Sequence, residues 1–300
     1  MSLTLWSSAH YDFPLPPGHR FPLHKYALLR ERIVGEAMPG VGAVLDPPRA
    51  DDAALLRVHT PDYVRRFTRG LLDPAEVRRL GLPWSAGLVE RSHRAVGGTI
   101  AAGDHAIAHG VAMNLAGGTH HAFADHGEGF CVYNDIAVAI RRLQAERRIR
   151  RACVVDLDVH QGNGTHAIFA GDDSVFTFSM HGGRNYPFHK VAGSRDVELD
   201  DGTGDAVYLD RLAEALPAVL AAAAPDVVFY IAGADPHEGD ALGRLRLTFD
   251  GLARRDALVL EHCREVGLPV AITVGGGYGR RVEDTVQVHV NTVRVAIGFT

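Results

Sequence analysis

Residues 152–157 read Ala-Cys-Val-Val-Asp-Leu, and their start is apolar on both alternating faces. A segment of this kind is at rest only as a strand covered on both sides, the situation in a parallel sheet with helices on each face. Ala152 and Val154 share one face with Asp156, Asp158 and His160, while Cys153, Val155, Leu157 and Val159 line the other. The first face therefore turns from apolar to acidic within two residues. Burying two carboxylates beside an imidazole costs several kcal/mol unless a cation compensates, and the donor set suits a divalent metal such as zinc.

Similar apolar runs recur at 3–6, 41–45, 111–115, 175–179, 227–231 and 270–274. Segments with helical periodicity lie between most of them, at 135–150, 205–224 and 249–266. Strand, helix, strand in repetition implies an α/β architecture around a parallel sheet. No linker, low-complexity stretch or internal repeat divides residues 1–300, so one domain is expected. Four polar loops each follow a candidate strand: 117–122, 158–164, 233–240 and 275–278. Ligands of open parallel sheets sit beyond the carboxyl ends of the strands, so these loops are expected to build one site.

Three hundred residues, 46% of them hydrophobic, supply a substantial core and argue against disorder. A net charge of −5 without a basic run argues against a nucleic-acid partner. The three cysteines, Cys131, Cys153 and Cys263, are odd in number and far apart, which fits a reducing compartment, with the cytoplasm expected. Neither a signal peptide nor a membrane span is legible, so no membrane partner is expected.

Within the loops, the adjacent pair His120-His121 behind two glycines is a stronger signal than a lone histidine. Each ring needs an orienting partner, and Asp156 and Asn163 are the polar groups at hand. Asp235 offers a third metal ligand beside Asp158 and His160. Two carboxylates weaken the ion as an electrophile, so a further donor is needed at a developing oxyanion, and Tyr278 can provide it. The glycines before Tyr278 lack the spacing of a phosphate loop. Phe130 adds an aromatic wall, Cys131 reads as a small buried hydrophobe, and Asn134 or Asp135 caps the helix that follows.

Five blocks, 117–122 (Gly-Gly-Thr-His-His-Ala), 128–135 (Glu-Gly-Phe-Cys-Val-Tyr-Asn-Asp), 156–164 (Asp-Leu-Asp-Val-His-Gln-Gly-Asn-Gly), 233–244 and 275–278 (Gly-Gly-Gly-Tyr), together resemble the histone deacetylase superfamily, in particular its class IV and bacterial branch. The resemblance implies the arginase/deacetylase fold, a three-layer sandwich with about eight parallel strands. It implies zinc, or iron, on Asp158, His160 and Asp235, and a monovalent cation, potassium, near Asp156, Asp158, His160, Ser179 and Met180. His121 would be general base and then general acid. His120, paired with Asp156, would stabilise charge, and Tyr278 would polarise the acyl carbonyl. Gly129, Phe130, Gly276 and one of Tyr186 or Phe188 would line the channel for an acyl-lysine stem.

Two departures stand out. Asn163 occupies the place of an aspartate in many relatives, and 81–85 (Gly-Leu-Pro-Trp-Ser) has no counterpart of the rim aspartate that some relatives use to hold the substrate backbone. The expected activity is metal-dependent hydrolysis of an N-acyl-lysine in a protein or peptide, with an acetylpolyamine or other small acylated amine as the alternative. A two-manganese ureohydrolase would need more bridging aspartates, and a non-catalytic acyl-binding module would have lost a catalytic group. The sequence assigns no role to the block at 19–22 and no oligomeric state.

Overall fold

The computed structural model describes residues 2–300. Eight strands, β1 (Leu3–Trp6), β2 (Val41–Leu45), β3 (Val111–Asn114), β4 (Ala152–Asp156), β5 (Val175–Gly182), β6 (Arg195–Leu199), β7 (Val227–Ile231) and β8 (Val270–Thr273), form one sheet. Every pairing in it is parallel, in the order β2-β1-β3-β8-β7-β4-β5-β6. The helices are α1 (Lys25–Gly35), α2 (Asp52–Leu55), α3 (Pro61–Thr68), α4 (Pro74–Leu80), α5 (Ala86–His109), α6 (Asp135–Ala145), α7 (Asn163–Ile168), α8 (Asp205–Ala223), α9 (Phe249–Glu265) and α10 (Val282–Ile297).

Period-two alternation along β4 divides the interior into two cores. Cys153, Val155 and Leu157 pack with residues of α1, α8, α9 and α10 on one face of the sheet. Ala152 and Val154 pack with residues of α3, α5 and α6 on the other. This is the helix–sheet–helix sandwich that the resemblance implies.

Several boundaries differ from the sequence-based expectation. The run at 175–179 continues to Gly182 because β6 pairs with its second half, from Phe178 to Gly182. β6 itself, Arg-Asp-Val-Glu-Leu, is a charged edge strand without an apolar run to betray it. The helix expected over 135–150 ends at Ala145, and Arg147 then turns through a left-handed φ of 58°. Asn134 is the residue that caps it, accepting from Ala137 N at 3.1 Å.

The four polar loops follow β3, β4, β7 and β8, which are the four central neighbours β3-β8-β7-β4 of the sheet. Their carboxyl ends open side by side. No helix among the described residues is long and apolar enough to cross a membrane, and all three cysteines are free and buried.

Candidate metal centre and active site

One ligand atom each from Asp158, His160 and Asp235 lies within 4.8 Å of the others, and all three residues are buried. Backbone amides hold the carboxylates in place. Gly276 N donates to Asp158 Oδ2 at 2.7 Å and Val159 N to Asp235 Oδ1 at 2.9 Å. His160 Nδ1 faces Asp158 Oδ1 at 3.0 Å and Asp235 Oδ2 at 3.1 Å. Burial and the adjacent Asp158 carboxylate push Asp235 up to about 7. Burial lowers the basicity of His160, yet its bonds to Asp158 and Asp235 outweigh that and raise it to about 10. A buried cluster so short of positive charge, with two hard oxygens and one imidazole nitrogen converging, fits a divalent cation.

At Gly276 any side chain would crowd the ligand carboxylates. A Cβ there would lie 2.0 Å from Asp235 Oδ2 and 2.7 Å from Asp158 Oδ2.

The histidine pair lies with its ring centroids 4.2 Å apart, but the two rings have opposite surroundings. His120 Nδ1 contacts Asp156 Oδ2 at 2.6 Å, and its Nε2 is 3.8 Å from Asp158 Oδ1. Burial disfavours its charge, but Asp156 and Asp158 prevail and raise it to about 9. His121 Nδ1 instead meets an amide oxygen, Asn163 Oδ1, at 2.7 Å. Burial and the repulsion of His120 and His160 hold His121 well below the usual histidine range. Asn163 Nδ2 donates to Glu128 Oε1 at 3.1 Å, which turns Oδ1 toward the ring. The His121 proton therefore sits on Nδ1, leaving the Nε2 lone pair free. Their environments thus pull the two neighbouring imidazoles apart, favouring the proton on His120 and disfavouring a second one on His121.

Tyr278 stands opposite, its ring 6.2 Å from that of His160 and 5.9 Å from that of Phe130. Burial and the nearby Asp235 and Asp158 carboxylates raise its pKa, so the phenol keeps its proton and can donate it in a hydrogen bond. Tyr186 packs edge-on against His121 with centroids 5.0 Å apart, and its hydroxyl donates to Glu128 Oε1. Phe188 is 79% exposed and stands at the rim. Tyr186, rather than Phe188, is thus the aromatic beside the histidines. Gly129, at φ 55°, leaves space between them, since a Cβ would meet His121 Cδ2 at 2.7 Å and Tyr186 Cε1 at 3.2 Å. Phe130 itself holds φ 69°, a conformation that costs a non-glycine residue about 1–2 kcal/mol.

The expected monovalent-cation residues also lie together. Asp156 pairs with Ser179 across the β4–β5 ladder, Met180 is buried next to it, and Ser179 Oγ is 2.9 Å from His181 Nδ1.

Several residues to which the sequence reading gave no role in the site itself shape it. Asp135 accepts from Gly118 N at 3.1 Å and Thr119 N at 2.8 Å, pinning the loop that carries the histidines. Asp240 accepts from Tyr278 N at 2.6 Å and from Leu242 N and Gly243 N, tying the tyrosine loop to the one after β7. Arg255, fully buried on α9, donates through Nη1 to Gly233 O at 2.7 Å and Leu157 O at 3.3 Å, and so clamps the exits of β7 and β4 to each other. Its charge is met by Asp256, which Nε reaches at 2.9 Å. The block at 19–22 supports the channel wall. His19 Nε2 contacts Gly81 O at 2.9 Å, and the Phe21 ring packs 5.6 Å from that of Phe130. Glu128, Asp135 and Asp240 could have been noticed as acidic residues inside the motif blocks, but Arg255 had no local signal.

Two spaces meet at this centre. An inner cavity of about 80 Å³ lies beside Asp158, His160 and Tyr278, bounded further in by Phe21, Lys25 and Arg91. An outer mouth of about 600 Å³ opens over His121, His160, Phe130, Tyr186 and Tyr278.

The histone deacetylase domain matches residues 19–293, which takes in every residue of the centre. The chain belongs to the histone deacetylase family. It is 47% identical to an uncharacterised protein of Picosynechococcus sp. over 93% of each chain. It is 34% identical to the acetoin utilization protein AcuC of Bacillus subtilis, over 92% of this chain and 77% of that one. With histone deacetylase 2 of Arabidopsis thaliana it shares 32% over 90% of this chain and 73% of the relative. Among solved structures, a histone deacetylase homologue from Aquifex aeolicus superposes with a TM-score of 0.87 at 23% identity, covering 100% of this chain and 85% of the other. A deacetylase homologue in complex with SAHA gives 0.86 at 24% identity with the same coverage. Family and fold place this member among the deacetylase-type hydrolases.

Proposed function

We propose that this family member is a metal-dependent deacylase that hydrolyses the amide of an N-acyl-lysine in a peptide or protein. The observation that carries the reading is the adjacent histidine pair, His120 against the Asp156 carboxylate and His121 against the Asn163 amide, beside a buried Asp-His-Asp cluster. Asp158, His160 and Asp235 would hold zinc or ferrous iron. The bound ion would make water acidic enough to attack and would polarise the acyl carbonyl.

The protein's own groups then do the following. His121 Nε2 takes a proton from the attacking water and later returns it to the leaving amine, while Asn163 keeps the other ring proton on Nδ1. The Tyr278 hydroxyl donates to the acyl oxygen as it gains charge, and the His120 cation, held by Asp156, stabilises the same charge. Phe130 and Tyr186 flank the stem of the substrate and exclude water from it. A structural potassium ion near Asp156, Ser179 and Met180, a single catalytic domain over residues 1–300 and a cytoplasmic setting complete the reading.

Purified protein reconstituted with zinc or iron is expected to turn over a fluorogenic acetyl-lysine peptide. Chelation should stop it, and His121→Ala should cost about 10²–10⁴-fold in rate. Turnover indifferent to both treatments would refute the assignment.

A further inference from the structure

Five arginines drawn from four separate stretches of chain line the outer mouth: Arg20 ahead of α1, Arg78 and Arg79 in the last turn of α4, Arg184 after β5 and Arg244 after β7. All five are exposed. No aspartate or glutamate is among the residues that line this mouth. Arg244 has a carboxylate partner, Asp201, at 3.2 Å. Arg20, Arg78, Arg79 and Arg184 have none within ion-pair distance among the described residues. This cationic ring belongs to a chain whose net charge is −5, so it is a local concentration and not a reflection of overall basicity.

We propose that this rim selects an acyl-lysine flanked by acidic residues, so that the negative charge lies on the amine half of the substrate, outside the channel. The inference rests on the deacylase reading above. Geometry assigns the charge to that half. The acyl group must reach the buried cluster past Phe130 and Tyr186, whereas the arginines stand on the solvent side of the same aromatic pair. A mouth of about 600 Å³ is roomy for a thread-like polyamine and accommodates residues on either side of a lysine. A polyamine would moreover bring its own positive charges against five guanidiniums. Carboxylates instead gain forked hydrogen bonds from arginine, and a ring of one sign steers an oppositely charged ligand inward. Basic peptide tails are disfavoured by the same field.

The test is a set of acetyl-lysine peptides with identical length and acidic, neutral or basic flanks, assayed beside acetylated spermidine on metal-loaded protein at low salt. The acidic peptide is expected to have kcat/KM at least 10-fold above the basic one, mainly through KM. Molar salt should erase the difference, since it shortens the screening length to about 3 Å. Arg78→Glu/Arg79→Glu should invert the order of the peptides, and Arg254→Glu, an exposed charge on α9 outside the mouth, should leave it intact. Equal rates for all three peptides would overturn the rim proposal and leave the deacylase reading standing. Preference for acetylspermidine, or displacement of the acidic peptide by a short single-stranded DNA at equal concentration, would also overturn it. If no peptide is hydrolysed, the deacylase reading falls. Fluorescence-anisotropy binding of the same peptides to His121→Ala protein then still reads the charge preference without turnover.

Discussion

Replacing Arg255 by methionine keeps most of the length of the side chain and removes its charge and donors. In the native protein Arg255 and Asp256 are both fully enclosed. The Asp256 carboxylate also accepts from Tyr230 Oη at 2.5 Å and Thr292 Oγ1 at 2.7 Å. Arg255→Met strands that carboxylate and takes a donor from the carbonyls of Gly233 and Leu157. Removing one partner of a buried pair costs about 3–5 kcal/mol. At about 2–4 °C per kcal/mol for a large domain, a melting temperature roughly 10 °C lower is expected. Because the two carbonyls belong to the loops that present Asp158 and Asp235, affinity for zinc should also fall, by about 10–100-fold as for other supports of metal ligands. Thermal unfolding of metal-free protein and competition against a chromophoric chelator measure the two effects separately. Arg255→Met/Asp256→Asn, which removes the stranded charge and retains an acceptor, should regain part of the melting temperature but not the metal affinity. A single variant that melts within 2 °C of the parent and binds zinc equally well would refute the brace.

Asn163→Asp should raise the basicity of His121 by stabilising its imidazolium, so the acid limb of the kcat/KM profile moves up by about one pH unit or more; an unmoved limb would show that His121 is not the titrating base. His59, buried between Phe123 O and Asn134 N, is lowered by burial to about 4. The unfolded chain therefore takes up a proton that the native state refuses between pH 6.5 and 4, so stability is full above about pH 6.5 and falls with acidification by roughly 3 kcal/mol. Denaturant titrations across that range should show a slope reduced by up to one proton in His59→Gln. Gly276→Ala should fold yet lose about 10–100-fold in zinc affinity, because its methyl meets the Asp235 carboxylate and overpacking of this kind costs about 1–3 kcal/mol. Isothermal titration with zinc provides the check.

The centre was legible in the sequence where chemistry and backbone pattern coincide. Asp156, Asp158 and His160 alternate at the end of an apolar strand, and the histidine pair and Tyr278 each follow glycines at a strand end. Their convergence needed only the rule that parallel strands point their carboxyl ends one way. What stayed hidden depends on distant partners. Arg255 lies in an Arg-Arg-Asp stretch that reads as a solvated helix face until α9 is placed against β4 and β7. The choice between Tyr186 and Phe188 is decided by Glu128, which accepts from the tyrosine hydroxyl. The long helix α5 was masked by Gly97, Gly98 and Gly103, poor helix formers that here permit close packing, with Pro48 O 1.8 Å from where a Cβ of Gly97 would sit. α10 was masked by its valines, which have strand propensity but line one packed face.

The cluster draws its three donors from the loops after β4 and β7, with α9 bracing both and a hydrophobic layer on either side of the sheet. Neither layer can loosen without letting the three donors drift apart. Retention of an ion bound there would consequently gauge the integrity of the whole molecule. Partial unfolding should release it before most helices melt, and a bound ion should in turn protect the chain from proteolysis far from the channel.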